Sequence, residues 1–390
     1  MLDKKGLSIL YFVLIILSSF RLFATNSAQI IDPGSKKLAP LSIEYTSHSS
    51  IIIATDADLY LFPGSGTHEE PFLIEGFNIT SSDLFGIHIS STTKHVLIRN
   101  CFIDVSKTGI LIEDKLEGSV RIENCIITNS ENENSHGVAV YIAKEIVLKN
   151  NIISGHSSSG LVMIFINGAY IVNNSFSSNN DSGLEVAYVD TLGIFENECN
   201  DNKQIGMYVG GSDNVMIMEN DCSNNGEEGI YLEQVEGCSI LNNTIESNRV
   251  FGMKMDGARW CLLNYNLFRD NYERGLYLDE DCENNWTYLN DFINNSRNSD
   301  SQGRDEGVNN DWFSETEKNG NYWSTLENSK VYNIHGKAES VDLYPLEKPI
   351  THNLSFGEDI SRISYNWMGF SFFLLLIKMR KKSSVKTNKN

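Results

Sequence analysis

Basic residues are scarce in this chain. Its 31 lysines and arginines face 51 aspartates and glutamates, a formal net charge of −20. Several of those cations gather at Lys378, Arg380, Lys381 and Lys382, so the rest is more acidic still. Such a surface repels phosphate backbones, which removes nucleic acid as an expected partner and favours solubility or divalent cations. The seven cysteines have no zinc-motif spacing, and the eight histidines share no repeating position. A Leu-x-x-Leu-x-Leu pattern is missing, which excludes the leucine-rich solenoid. Within the repeated part, apolar stretches of period two are too short for a helix of ten residues.

What is present is a repeat. Gly137, Gly160, Gly183, Gly206, Gly229, Gly252 and Gly275 lie 23 residues apart, each opening a tetrapeptide such as Gly206-Met-Tyr-Val209. Gly86 and Gly109 extend the series less regularly. Asn151, Asn174, Asn197, Asn220, Asn243 and Asn266 run in phase, again 23 apart, and Asn100, Asn124 and Asn290 continue them with small slips. A fixed period of this length signals a solenoid. Short strands separated by Asn, Asp, Ser and Gly predict coils of parallel β-strand stacked at about 4.8 Å. Identical asparagines then stack into a hydrogen-bonded ladder, and glycine is expected to let the chain turn sharply.

The chain divides as follows. Residues 1–28 carry Lys4 and Lys5, an apolar run over 7–17 and small residues to Ala28, the layout of a signal peptide. Residues 29–71 are expected to cap the open end, with strands at Ser50-Ile-Ile-Ile-Ala54 and Asp58-Leu-Tyr-Leu-Phe62. Residues 72–295 form the β-helix repeats. Residues 296–346 comprise an exposed loop (296–320) and a far cap, and 347–362 a linker. Residues 363–379 read as a transmembrane helix, flanked by Tyr365 and Trp367 on one side and by the basic tail 380–390 on the other. The expected address is outside the cytoplasmic membrane, anchored through that helix. Sequons at Asn78, Asn173, Asn180, Asn242, Asn285, Asn294 and Asn353 offer glycosylation sites.

Cysteine register places Cys199 over Cys222, Cys238 over Cys261 and Cys101 over Cys125, with Cys282 alone. Neighbouring coils bring such pairs within disulfide reach. The reading adopted is a stack of small buried hydrophobes.

Gly64-Ser-Gly-Thr67, Pro71-Phe-Leu-Ile-Glu-Gly-Phe-Asn-Ile-Thr80, the Asn-x-Ile/Phe/Cys and Gly-Ile/Leu/Met repeats, Gly320-Asn-Tyr-Trp-Ser324 and Asp342-Leu-Tyr-Pro-Leu346 resemble the NosD-like right-handed parallel β-helix proteins over roughly residues 40–346. That resemblance implies an all-β, right-handed, single-stranded parallel β-helix of about 23-residue coils. For function it implies less. The family name comes from a protein of copper-site assembly, and wider β-helix relatives include carbohydrate-binding proteins, polysaccharide lyases, hydrolases and epimerases. The Asp-rich calcium-loop segment that often follows Asn-Tyr-Trp-Ser is replaced here by Thr325-Leu-Glu-Asn-Ser-Lys-Val331. Copper would need converging Met, His or Cys, whereas Met163, Met207, Met253 and Met255 occupy inward positions. The Asp-Pro-His-Asp motif of uronate epimerases is missing, and no lyase-type Arg or Lys stands out.

The candidate chemistry lies outside. Two residues beyond the glycines come Glu185, Tyr208, Tyr231, Lys254 and Tyr277, and four beyond come Gly210, Glu233, Asp256 and Asp279. Residues two apart on a strand share a face, so these form two outward columns. Tyrosine rings can stack on sugars while carboxylates accept hydroxyl hydrogen bonds. No cofactor is expected, unless the three carboxylates hold Ca²⁺ or raise one another's pKa. Carboxylates on adjacent coils would be about 5 Å apart and on alternate coils about 10 Å, near the glycosidase spacings. The expected function is a surface protein that binds or displays carbohydrate, with a polysaccharide or glycoprotein as partner. The alternatives are a polysaccharide lyase or hydrolase using Glu233, Asp256 and Asp279, and a structural stalk.

Overall fold

The computed structural model describes residues 44–129, 135–296, 301–326 and 329–350. The signal-peptide and transmembrane segments read from the sequence lie outside these residues. Among the described residues no helix is long and apolar enough to cross a membrane.

The repeats wind into a parallel β-solenoid with three sheet faces. On the first face Ile51, Ile87, Ile110, Val138, Leu161, Leu184, Met207, Ile230, Met253, Leu276 and Gly303 pair in succession, every step parallel. The second face runs through Ile74, Ile98, Ile122, Leu148, Ile171, Ile194, Ile217, Ile240 and Leu263. The third carries short strands such as Thr244–Glu246 and Leu267–Arg269, joined across the middle coils by single bridges. Alternation does the sorting. In Met207–Gly210 and Ile230–Glu233 the apolar residues at odd positions are buried while Tyr208 and Tyr231 face out. Met163, Met207, Met253 and Met255 all fill the core, as the repeat predicts.

Corners between faces are made by left-handed residues. One column holds Asn150, Asn173, Glu196, Glu219, Asn242 and Tyr265, and another Ser178, Asp201, Asn224, Ser247 and Asp270, all with φ between 52° and 61°. Asn, Asp and Ser tolerate that region best, which explains much of their abundance. The repeated glycines serve a different purpose from the sharp turn expected of them, because none of Gly137 to Gly275 in that column has a left-handed φ. They are needed for close approach. A Cβ on Gly206 would lie 2.5 Å from the Gly229 carbonyl oxygen and 2.6 Å from Asn225 Nδ2.

The expected ladder forms. The backbone N–H and the side-chain amide of Asn197 both donate to Asn220 Oδ1, at 2.9 and 3.0 Å, and the same amide donates to the Ile171 and Phe195 carbonyls. The pattern repeats from Asn151 to Asn266 and continues through Asn290 to Asn321. Asn100 and Asn124 do not extend it. They are left-handed corner residues, Asn124 Oδ1 accepting from Asn150, while the N–H of Cys125 donates to Asn151. A second buried ladder runs beside the first, through Asn179, Asn202, Asn225, Asn248, Asn271 and Asn295. His156 takes its lowest rung, its N–H donating to Asn179. Burial pushes its imidazole down to about 4, so the ring is neutral at ordinary pH.

All seven cysteines are buried. Six of them follow the adopted reading as to place, but Cys238 and Cys261 are joined as a disulfide, their Cα atoms 4.5 Å apart. Two other expectations fail at the ends. Asp58–Phe62 is not a strand: Asp56–Leu59 forms a helical turn, since Asp58 Oδ2 accepts from the N–H groups of Ala54 and Thr55 and from the Thr55 hydroxyl. Nor is 301–311 an exposed loop. Gly303–Asp305 pairs with Leu276–Leu278 as a further coil, and Asp305 is buried with Asn310, Trp312 and Ser340 donating to it. Above it Phe268, Phe292, Trp323 and Tyr332 stack ring on ring, 4.0–4.8 Å apart, and close the core.

Gly206→Ala is therefore expected to lower the thermal midpoint, at about 1–3 kcal/mol for overpacking. Gly168→Ala, whose Cβ would meet only the Lys144 carbonyl at 4.0 Å, leaves it unchanged. Equal midpoints for the two variants in calorimetry contradict the close-approach account.

Candidate functional site

The first face presents the two columns read from the sequence. Glu185, Tyr208, Tyr231, Lys254 and Tyr277 pair in register, and Arg304 follows on the next coil. Beside them Gly210, Glu233 and Asp256 pair in turn. Asp279 continues that column just past its strand, accepting from the Gly257 N–H at 3.0 Å. All seven candidate binding residues, Tyr208, Tyr231, Lys254, Tyr277, Glu233, Asp256 and Asp279, are thus brought to one face.

Their contacts run diagonally from coil to coil. The Tyr208 hydroxyl donates to Glu233 Oε2, and the Tyr231 hydroxyl donates to Asp256 Oδ2 at 3.3 Å. Tyr208 leans over Gly210, where any Cβ would collide with its hydroxyl. Burial, followed by the neighbouring carboxylates, raises both tyrosine hydroxyls above their ordinary range, so neither ionises at any physiological pH. The Asp256 carboxyl is also raised, first by burial and then by Asp279 beside it, with Lys254 pulling the other way. A like charge on the next coil disfavours ionisation, which is how Asp279 raises the Asp256 carboxyl.

The tyrosine faces are less open than the sequence suggests. Lys254 Nζ sits 4.3 Å over the Tyr231 ring, and Phe251 stacks on Tyr277 at 5.0 Å. Phe251 was not singled out from the sequence. It stands two residues before the inward Met253, so strand alternation gave no outward signal for it. Tyr208 and Tyr231 meet edge to face at 5.5 Å. Among the described residues no three His, Cys, Asp or Glu converge to hold a metal. Glu233 is tied to Tyr208, Asp256 to Tyr231, and Asp279 to the N–H groups of Gly257 and Asp281.

Two clefts lie elsewhere. One of about 540 Å³ sits by the first coil, between Ile52, Leu61, Phe62, Leu73 and Phe77. The other, of about 370 Å³, is polar and lined by Arg249, Asp270, Tyr272 and Asn294. The strip itself is an open sheet surface, suited to a chain lying along it more than to a small enclosed ligand.

A family described as right handed beta helix region matches residues 47–176 and 136–292. Among curated proteins there is no match. A double mutant of the periplasmic alginate epimerase AlgG is similar at 14% identity and a TM-score of 0.40, covering 68% of this chain and 73% of that one. The mannuronan C-5 epimerase AlgE4 A-module of Azotobacter vinelandii is similar at 13% and 0.39, covering 68% and 85%. Tailspike protein 3 of bacteriophage CBA120 is similar at 9% and 0.35, covering 76% and 59%. Likenesses this distant carry no argument about what the strip does.

Since the Asp256 carboxyl is raised in the fold, it keeps its proton to higher pH there than in the unfolded chain. Its contribution to stability is full below the unfolded pKa and is lost as pH rises through the folded one. Asp256→Asn, which keeps the neutral shape, is expected to raise the thermal midpoint at pH 7 and to leave it near wild type at pH 3. A midpoint that drops at pH 7 contradicts the raised Asp256 carboxyl.

Proposed function

The chain belongs to the right-handed beta helix family, and from that premise we propose that it binds a carbohydrate chain along its first face. The observation that carries this reading is the in-register alternation of tyrosine and carboxylate on consecutive coils, Tyr208 with Glu233 and Tyr231 with Asp256. Coils stacked at about 4.8 Å repeat at close to the length of one sugar unit, so a glycan lying along the axis meets the same groups at each residue. Carboxylates accept its hydroxyl hydrogens, and tyrosine edges supply apolar contact.

The proposed setting is the outer side of a cytoplasmic membrane, with the chain exported by residues 1–28 and held by residues 363–379. The apolar run at 7–17 and the cations from Lys378 to Lys382 support it. We propose the NosD-like branch for it, a reading supported by the meeting of its two C-terminal motifs in space. Asp342 Oδ2 accepts from the Asn321 N–H at 2.7 Å and from the Trp323 indole at 2.9 Å. A second reading, hydrolysis of a bound polymer, draws on one specific observation, the raised Asp256 carboxyl beside Asp279, a pairing of the kind that general acids use.

A glycan array probed with the full chain tests both. Binding is expected, and Tyr231→Ala should weaken it about tenfold, the scale of a buried contact residue. Binding that ignores this change refutes the strip, and no binding at all leaves a structural stalk. Release of reducing ends that Asp256→Asn abolishes moves the conclusion to a hydrolase.

A further inference from the structure

Bulky residues stand singly or in a pair at other corners of the solenoid, as Trp260, Tyr265 and Leu289 do, but one corner carries them on three coils in a row. Its left-handed positions are Ser91, Asp114, Ile142, Phe165, Tyr188, Gly211, Gln234 and Gly257. At most coils the residue there is small or polar, as the left-handed region requires. On three consecutive coils it is Ile142, Phe165 and Tyr188, with φ of 58°, 62° and 56°. These side chains are 42%, 56% and 56% exposed. A β-branched residue in that region is an outlier, and apolar side chains gain nothing from water. Two costs therefore fall on the same three residues, and within the fold they are offset by the stacking of Phe165 on Tyr188 and the packing of Tyr188 over Gly211. Leu116, 66% exposed, and the outward Tyr141 and Ile164 widen the patch.

What sits on such a ridge follows from its rings and its rim. Phe165 and Tyr188 stack on each other, centroids 5.0 Å apart and planes within 14°, so each covers one face of the other and the pair stands as a single apolar block. A raised apolar block fits an apolar groove. Its flanks are acidic: Asp114, Glu117 and Asp190 are exposed and Glu145 and Glu185 half-exposed, with Lys144 the basic residue among them. A second copy of a chain with a formal charge of −20 would bring like charges together.

We propose that the ridge at Ile142, Phe165 and Tyr188 is a docking site for a protein partner, one that offers an apolar groove bordered by lysine or arginine. Apolar contact supplies affinity and the acidic flanks select the rim. The ridge borders the carbohydrate strip, because Tyr188 lies over Gly211, one residue beyond Gly210. It stands independently of that strip.

The test uses the full chain and a labelled synthetic amphipathic peptide, a leucine stripe flanked by lysines, with a glutamate-flanked version as control. The lysine peptide should bind saturably and more weakly as salt rises. In the variant combining Phe165→Asn with Tyr188→Asn its affinity should fall about tenfold or more. Asparagine suits the left-handed region, so the thermal midpoint of this variant should hold or rise, which separates lost docking from lost fold. Tyr231→Ala should leave peptide binding intact. A lower midpoint would make the ridge structural and overturn the proposal. So would equal binding of both peptides, or unchanged binding by the variant. A concentration-dependent dimer in sedimentation that the variant abolishes assigns the ridge to a second copy instead. Glycan binding that the variant abolishes while Tyr231→Ala spares it assigns the ridge to sugar.

Discussion

Each coil of this protein is held to the next by side chains that replace what a turn cannot supply for itself. Where the chain bends between faces, backbone N–H groups point into the interior with no strand to receive them. The asparagine carboxamide of the following coil accepts that N–H, and its own amide reaches carbonyls of the coil before, as Asn220 does with Asn197 and Ile194. A buried amide left without partners costs about 1–3 kcal/mol, so a missing rung is felt by the coils on both sides. Two such ladders run side by side, and the glycine column allows the close approach of the second.

That constraint decides what the surface can become. A ladder locked at one coil spacing forces every outward position into a column, and a column can be read by a ligand only if it repeats usefully. Tyr208, Tyr231, Glu233 and Asp256 form such a repeat. The same geometry explains the raised Asp256 carboxyl, since stacking sets Asp279 on the next coil beside it. It also explains Lys254, whose ammonium settles over Tyr231 between the two acidic coils. At the far end the same logic closes the stack. Asp342 receives Asn321 and the Trp323 indole, ending the ladder and the aromatic column together.

Periodicity made the fold readable, because a 23-residue repeat fixes which residues become vertical neighbours before any geometry is known. It gave the inward methionines, the outward tyrosines and the first asparagine ladder with the correct neighbours. What it missed, it missed for physical reasons. The second ladder at Asn179, Asn202, Asn225, Asn248 and Asn271 has the same 23-residue signal and was hidden by the abundance of asparagine. Asn124 was placed one position off because insertions before Gly137 shift the phase by a residue. The glycines were assigned to turning when sterics, not φ, requires them. Residues 301–311 have the composition of a loop, yet their burial is set by the coil beneath, which composition does not report. Ring orientation was equally out of reach, as the stacking of Phe165 on Tyr188 shows.

Amide hydrogen exchange resolved by residue tests the ladder account most directly. The backbone N–H groups of Asn174, Asn197, Asn220 and Asn243 lie at bends, yet each donates to a buried carboxamide at 2.9–3.0 Å. They should exchange as slowly as the strand amides of Val209 and Leu232 and open only with the whole solenoid. In Asn220→Ala the protection of Asn197, whose acceptor is removed, should collapse together with that of the adjoining coils. Exchange of these bend amides at the rate of exposed loop residues in the unaltered protein would contradict the claim that side-chain ladders hold the coils together.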